Sequence, residues 1–172
     1  DYFSQQLGIT ACKHFSEFIQ KVDLLILAIK PQGFPELFAE LRPHIKESLS
    51  IISIAAGVTT TSIQQGLGLT KQPVIRVMPN TPATINLGAS ALYATKETPK
   101  MLKEFTDTLF STCGITVWVP KEEQLSAAVA VSGSSPAYFF YIMEIMTEMG
   151  VNLGLSPESS ALLTKQSLLG AA

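Results

Sequence analysis

The segment Val22-Asp23-Leu24-Leu25-Ile26-Leu27-Ala28-Ile29, closed by Lys30-Pro31, decides the fold. It is apolar at every position but Asp23 and shows no polar alternation, as expected of a parallel strand buried on both faces. Pro35 suits the first turn of a helix over residues 35–42, stopped by Pro43. Residues 49–54 form the next aliphatic run, followed by Ala55-Ala56-Gly57 and a helix from residue 61 that stops near Gly66 and Gly68. Strands are expected at 74–78, 89–94 and 116–119, with a helix at 99–111 between the last two. Upstream, residues 1–20 hold the tail of a helix, a strand at 9–12 and a short helix. Strand and helix alternating at this rhythm predict an α/β sheet with helices on its faces.

Beyond Pro120 the texture changes. Residues 122–131, 136–150 and 157–172 all read as helices, and Ser156-Pro157-Glu158 supplies a cap, a first-turn proline and a carboxylate at the positive dipole end. A domain boundary is expected near Pro120, giving domains at 1–120 and 121–172. One or two helices build no core of their own. The second domain therefore reads as cut short, and the chain, which opens on Asp1, as part of a longer polypeptide.

Composition points the same way. Twelve Lys+Arg against 14 Asp+Glu leave a net charge of −2, and charged residues make up 15% of the chain, against roughly 25% in an average soluble domain. With 47% hydrophobic residues, the surplus apolar surface predicts an oligomer interface or missing chain. Without a basic cluster, nucleic-acid binding is not expected. The uncharged stretches 49–70 and 124–143 contain Gly, Ser, Thr or Pro interruptions, so no membrane span is expected. Cys12 and Cys113 form no CxxC or metal pattern, which suits a reduced, cytoplasmic protein without a metal site.

No G-x-G-x-x-G, Walker or H-E-x-x-H motif is present, and no catalytic residue is assignable. His14 and His44 are isolated and read as surface or helix-end residues. What remains are strand-end loops, and open parallel sheets bind ligands beyond the carboxyl ends of their strands. Those ends are Ala28-Ile29-Lys30-Pro31, then Ala55-Ala56-Gly57, then Asn80-Thr81-Pro82. Small residues at Ala55–Gly57 would let a flat ring approach the backbone, Lys30 offers a cation for phosphate, and Asn80 an amide for a carboxamide or ribose. Read blandly, the same residues are ordinary strand exits. Ser132-Gly133-Ser134-Ser135-Pro136 opens a helix with free N–H groups suited to a carboxylate, or is a well-capped hinge.

Taken together, LILAIKPQ (25–32), SIAAGV (53–58), RVMPNTPA (76–83), GASALYA (88–94), SGSSPAY (132–138), GVNLGL (150–155) and LLGAA (168–172) resemble pyrroline-5-carboxylate reductase in order and in text. The resemblance implies a Rossmann-type NAD(P)-binding domain, incomplete at its start, followed by an all-α dimerisation domain, incomplete at its end. It implies reduction of 1-pyrroline-5-carboxylate to L-proline with NADPH or NADH, in a homo-dimer or higher homo-oligomer. Ala28, Ile29, Lys30, Pro31, Ala55, Ala56, Gly57, Asn80 and Thr81 would contact the cofactor. Ser132, Gly133, Ser134 and Ser135 would contact the substrate.

The sequence departs from the family where Phe15 replaces a frequent Asn, Ser135 a common Gly and Leu87 a common Glu. The glycine-rich pyrophosphate turn and the Gly-Thr-Thr substrate loop are absent, so these 172 residues alone are expected to be inactive. Two rivals stand beside this reading. A 3-hydroxyacid dehydrogenase would need a lysine early in the helix after the hinge, where Ala137 to Ile142 provide none. A non-enzymatic relative would keep the fold for binding or regulation.

Overall fold

The computed structural model describes residues 2–171. A helix, α1 (Tyr2–Leu7), leads through two short 3-10 turns into β1 (Leu24–Leu27), α2 (Phe34–Leu41), β2 (Ser50–Ser53), α3 (Thr60–Leu67) and β3 (Val74–Met78). After a further 3-10 turn, Thr81–Ile85, come β4 (Gly88–Ala94), α4 (Lys100–Ser111) and β5 (Gly114–Trp118). The chain ends in α5 (Gln124–Ala128), a π-helical turn at Val129–Gly133, α6 (Ser135–Asn152) and α7 (Pro157–Ala171).

The five strands lie side by side in chain order. β1, β2 and β3 are parallel, with Leu27 level with Ser53 and Ser53 level with Arg76. β4 runs antiparallel to β3, and β5 parallel to β4. The reversal has a simple cause. A parallel crossover needs a dozen or more residues, and residues 79–87 hold only one 3-10 turn. The sheet is therefore mixed.

Each face has its own core. On one side α2 and α3 press Phe34, Leu37, Leu41, Ile63 and Leu67 against Leu25, Leu27 and Ile51. On the other, Ile52, Ile75, Val77 and Leu92 pack beneath α4 through Leu102 and Phe110. Asp107 of α4 accepts hydrogen bonds from Thr116 Oγ1 (2.7 Å) and Trp118 Nε1 (3.1 Å), which fixes the helix on the outer strand. Phe15 meets Phe18 edge-on and leans on the α2 core, so the residue that departs from the family works here as packing.

Two expectations are corrected. Residues 9–12 form no strand, because a lone segment needs a neighbour for its N–H and C=O groups and none is provided. β1 is not buried on both faces. It is an edge strand among the described residues, and Ile26 is 43% exposed.

The helical half is different in kind. α6 and α7 pack on each other at a close crossing, where Ser160 Oγ donates to the Thr147 carbonyl at 2.7 Å. Yet α6 buries no residue, and α7 only Ser160 and Thr164. Phe139, Phe140, Ile142, Ile145, Met146 and Met149 all stand exposed. The run Gln124–Asn152 is, against expectation, long and apolar enough to cross a bilayer by length and composition alone. It is not one regular helix, being broken by the π turn and by Ser134.

Gly114 is the tightest point of the sheet. It faces Gly88 across β4–β5 with φ +145°, and a Cβ placed on it would lie 2.0 Å from the Gly88 carbonyl oxygen. Backbone strain and overpacking each cost about 1–3 kcal/mol. Gly114→Ala should therefore lower the stability of the protein by about 2–5 kcal/mol, read as a drop in urea midpoint at unchanged m-value. A midpoint equal to that of the unaltered protein would show that the strands can part there without cost.

Candidate active site

Parallel pairing brings the ends of β1, β2 and β3 to one edge of the sheet. Ala28, Ile29, Lys30 and Pro31 follow β1 and are all exposed, with Ile29 at 39%. Ala56 and Gly57 follow β2 and are exposed beside them. Gly57 has φ +76° and nothing within 4 Å of where a Cβ would stand. Together they form an exposed, largely apolar shelf with a lysine at its margin. Ala55 departs from the expectation: it is 5% exposed, belongs to the core, and its N–H donates to Ser53 Oγ at 3.3 Å. Its side chain therefore faces inward.

Asn80 stands just past the end of β3 and makes two hydrogen bonds within the protein. Its Nδ2 donates to the Ser132 carbonyl at 3.0 Å, and its Oδ1 accepts from the Ala89 N–H at 2.9 Å. Both ends of the amide are thus engaged by the protein's own backbone. The side chain joins the loop after β3 to the Ser132 segment, 52 residues away in sequence. Thr81 is exposed at the head of the following 3-10 turn.

The Ser132–Ser135 region is not the open helix start that was expected. The π turn Val129–Gly133 precedes α6 and takes up part of the donor set: the Ser134 N–H reaches the Val129 carbonyl at 2.8 Å, and the Ala137 N–H the Ser134 carbonyl at 3.1 Å. Ser132 Oγ donates to the Ala128 carbonyl at 2.9 Å. Among the described residues the Ser134 and Ser135 hydroxyls have no partner. A Cβ added at Gly133 would lie 3.8 Å from Met78 Cε, at the end of β3. A cleft of about 140 Å³ opens between the two halves, lined by Gly57, Thr59, Arg76, Met78, Leu125, Ser126 and Val129.

Behind this cleft lies a network the sequence did not announce. Glu122 Oε1 accepts from the Thr60 N–H (2.7 Å) and from Arg76 Nη1 (2.9 Å), and its Oε2 from Thr60 Oγ1 (2.8 Å). The side chains of Arg76 and Glu122 are 9% and 17% exposed. Burial pushes the Glu122 carboxyl up. The hydrogen bonds from Arg76 and Thr60, with the Arg76 charge, outweigh it and hold the carboxyl below the usual range. These partners lie 46 and 62 residues apart in sequence, so no local pattern could have paired them. His14 and His44 are exposed, as expected, and among the described residues no group of His, Cys, Asp or Glu could hold a metal.

Comparison with known proteins gives a consistent likeness. A family profile described as pyrroline-5-carboxylate reductase dimerisation matches residues 122–172. One described as NADP oxidoreductase, coenzyme F420-dependent, matches residues 1–57. The pyrroline-5-carboxylate reductase of Pseudomonas aeruginosa is 41% identical over 167 residues, which are 97% of this chain and 61% of that protein. Pyrroline-5-carboxylate reductase 1 of Bacillus subtilis is 37% identical over 97% of this chain and 56% of its own length. Over nearly its whole length the chain is similar to pyrroline-5-carboxylate reductases. Its fold agrees: the Coxiella burnetii reductase structure superposes with a TM-score of 0.91 at 35% identity, over 99% of this chain and 63% of that one. A Plasmodium falciparum family structure with NADP bound gives 0.86 at 27%, over 96% and 62%. The chain thus spans about three-fifths of the length of these relatives.

The Glu122 network has a pH signature. A carboxyl held low in the folded state lends stability that is complete above its unfolded value, about 4.3, and is lost as pH falls through the folded value. Glu122→Gln should cost about 1.5–3 kcal/mol at neutral pH, the range for a hydrogen bond to a charged group. The unaltered protein should then lose stability more steeply than the variant as pH falls from about 4.3 towards the lower folded value. Urea titrations across that window check this; parallel curves would uncouple Glu122 from folding.

Proposed function

We propose that the complete protein reduces 1-pyrroline-5-carboxylate to L-proline with NAD(P)H, as its relatives are named for doing. The observation that carries this reading is the junction made by Asn80, which sets the Ser132 segment beside the end of β3, at the same sheet edge as the Ile29–Lys30 and Ala56–Gly57 shelf. A reduced nicotinamide supplies hydride when bound there. The protein's own part is orientation: Ile29, Ala56 and Gly57 offer a face to a ring, while Ala28, Lys30, Pro31 and Thr81 border it. Asn80 holds the geometry rather than the cofactor, and Ala55 supports the shelf from within. A cyclic imine is readily protonated in water, so positioning and carboxylate binding matter more than a strong general acid. That agrees with a site whose chemistry rests on no histidine.

Ser132, Gly133, Ser134 and Ser135 are proposed to meet the substrate carboxylate, with the unpartnered Ser134 and Ser135 hydroxyls as the nearest donors. NADPH is the proposed reductant, supported by the Plasmodium relative solved with NADP. Residues 1–120 and 121–172 are proposed as cofactor and dimerisation domains. The exposed face of α6 lies within the part matched by the dimerisation profile, and we assign it to a homo-dimer or higher homo-oligomer. The free Cys12 and Cys113 suit a reducing compartment, and the cytoplasm is proposed.

NADPH oxidation by the complete protein, dependent on added pyrroline-5-carboxylate, tests the reaction. Ser134→Asp tests the site. An aspartate is a favoured N-cap, so folding should survive. Like charges about 4 Å apart at an effective dielectric near 20 repel by roughly 4 kcal/mol, and about 1.4 kcal/mol is a factor of ten. kcat/KM should fall on the order of a hundredfold or more with NADPH affinity little changed; undiminished turnover would reduce the motif to a capped hinge. Phe140→Glu with Ile145→Glu should convert the oligomer to smaller species in light scattering. An unchanged mass would remove the α6 face from the interface.

A further inference from the structure

The α5–π-turn unit is held to the sheet at two polar points. At its exit the Ser132 carbonyl accepts from Asn80 Nδ2. At its entry Glu122, two residues before α5, accepts three hydrogen bonds from Thr60 and Arg76. Between them Leu125 is the only residue of α5 and the π turn that is buried, at 2% exposure. The same unit supplies Leu125, Ser126 and Val129 as one wall of the 140 Å³ cleft; Gly57, Thr59, Arg76 and Met78 form the other. Arg76 is thus both a lining residue and the partner of the entry anchor.

Three hydrogen bonds to one carboxylate, given by three different groups, fix its position in more than one direction. Thr60 N–H and Oγ1 come from the first turn of α3, just past the Gly57 shelf, and Arg76 comes from β3. Any displacement of Glu122 would swing the unit about its Asn80 anchor and change the width of the cleft. We propose that Glu122, clamped by Arg76 and Thr60, is a positioning residue that sets the Ser132–Ser135 segment at its working distance from the Ala56–Gly57 shelf. The proposal rests on the reductase reading for its kinetic consequence, but not for its structural one.

Two arms of one experiment on the complete protein keep these apart. In hydrogen exchange, Glu122→Gln should speed exchange of the amides of residues 126–133 about tenfold, with β2, β3 and the α6–α7 pair unchanged. In kinetics, Glu122→Gln and Arg76→Met should each lower kcat with pyrroline-5-carboxylate about 10–30-fold while the Kd for NADPH stays within twofold. The double variant should be no worse than the worse single, since both break one clamp. Glu122→Asp in a protein that keeps Arg76 should recover part of the loss. Should Glu122→Gln fail to fold, Thr60→Val removes one hydrogen bond and should give a threefold to tenfold loss with the same exchange pattern. Unaltered exchange at residues 126–133, or kinetic losses that multiply in the double variant, would overturn the proposal. An unaltered protein without pyrroline-5-carboxylate turnover overturns the reductase reading alone, and the exchange arm still decides the clamp.

Discussion

The Glu122 carboxylate is where the two halves of this chain are tied. The sheet carries a core on each face and holds its shape by apolar packing. The helical half has almost no core of its own, with α6 wholly unburied and Leu125 alone set into the sheet from α5. Apolar burial is strong but non-directional; one buried leucine cannot fix an orientation. Direction comes from polar contacts, and few cross here: the Glu122 clamp at one end of α5 and its π turn, the Asn80 amide at the other. A partly buried ion pair adds little net stability over an apolar pair, yet it is costly to break. It therefore specifies geometry better than it adds strength.

The sheet edge follows from a separate constraint, the length of the connections. Helical crossovers keep β1, β2 and β3 parallel, and their carboxyl ends converge on one side. The nine residues between β3 and β4 permit no crossover, so the chain doubles back and the parallel array ends at β3. β4 then brings Ala89 under the Asn80 side chain, which accepts its N–H. The turn that stops the parallel sheet is thus also the part that receives the helical half. The exposed aromatic and methionine side chains of α6 complete the picture: a helix pair that buries only Ser160 and Thr164 leaves its large apolar residues exposed.

Much of this was legible in the residues. All five strands and the long helices fall within a few residues of where aliphatic runs, prolines and caps place them, because those signals are local. The strand expected at residues 9–12 failed for want of a neighbour, and pairing is not a local property. β1 read as doubly buried because composition reports what a strand can tolerate, not what covers it. Ile29, Lys30, Ala56 and Gly57, singled out by their place after strands, are exposed at one sheet edge. Ala55, one residue from them, is buried in the core of the α2–α3 face.

The chain's own text determined the α/β class, the change to helices near Pro120, the surplus of apolar surface and, through seven ordered segments, the family resemblance. Each of these is carried by neighbouring residues or by a sum over many. The tertiary structure alone decided that Asn80 is a brace and that the serine segment enters α6 through a π turn with the Ser134 N–H already engaged. It alone decided that Thr60, Arg76 and Glu122 meet. A hydrogen bond is set by where three atoms lie within a few tenths of an ångström, and for residues 46 or 62 apart that is a consequence of the whole sheet and its connections.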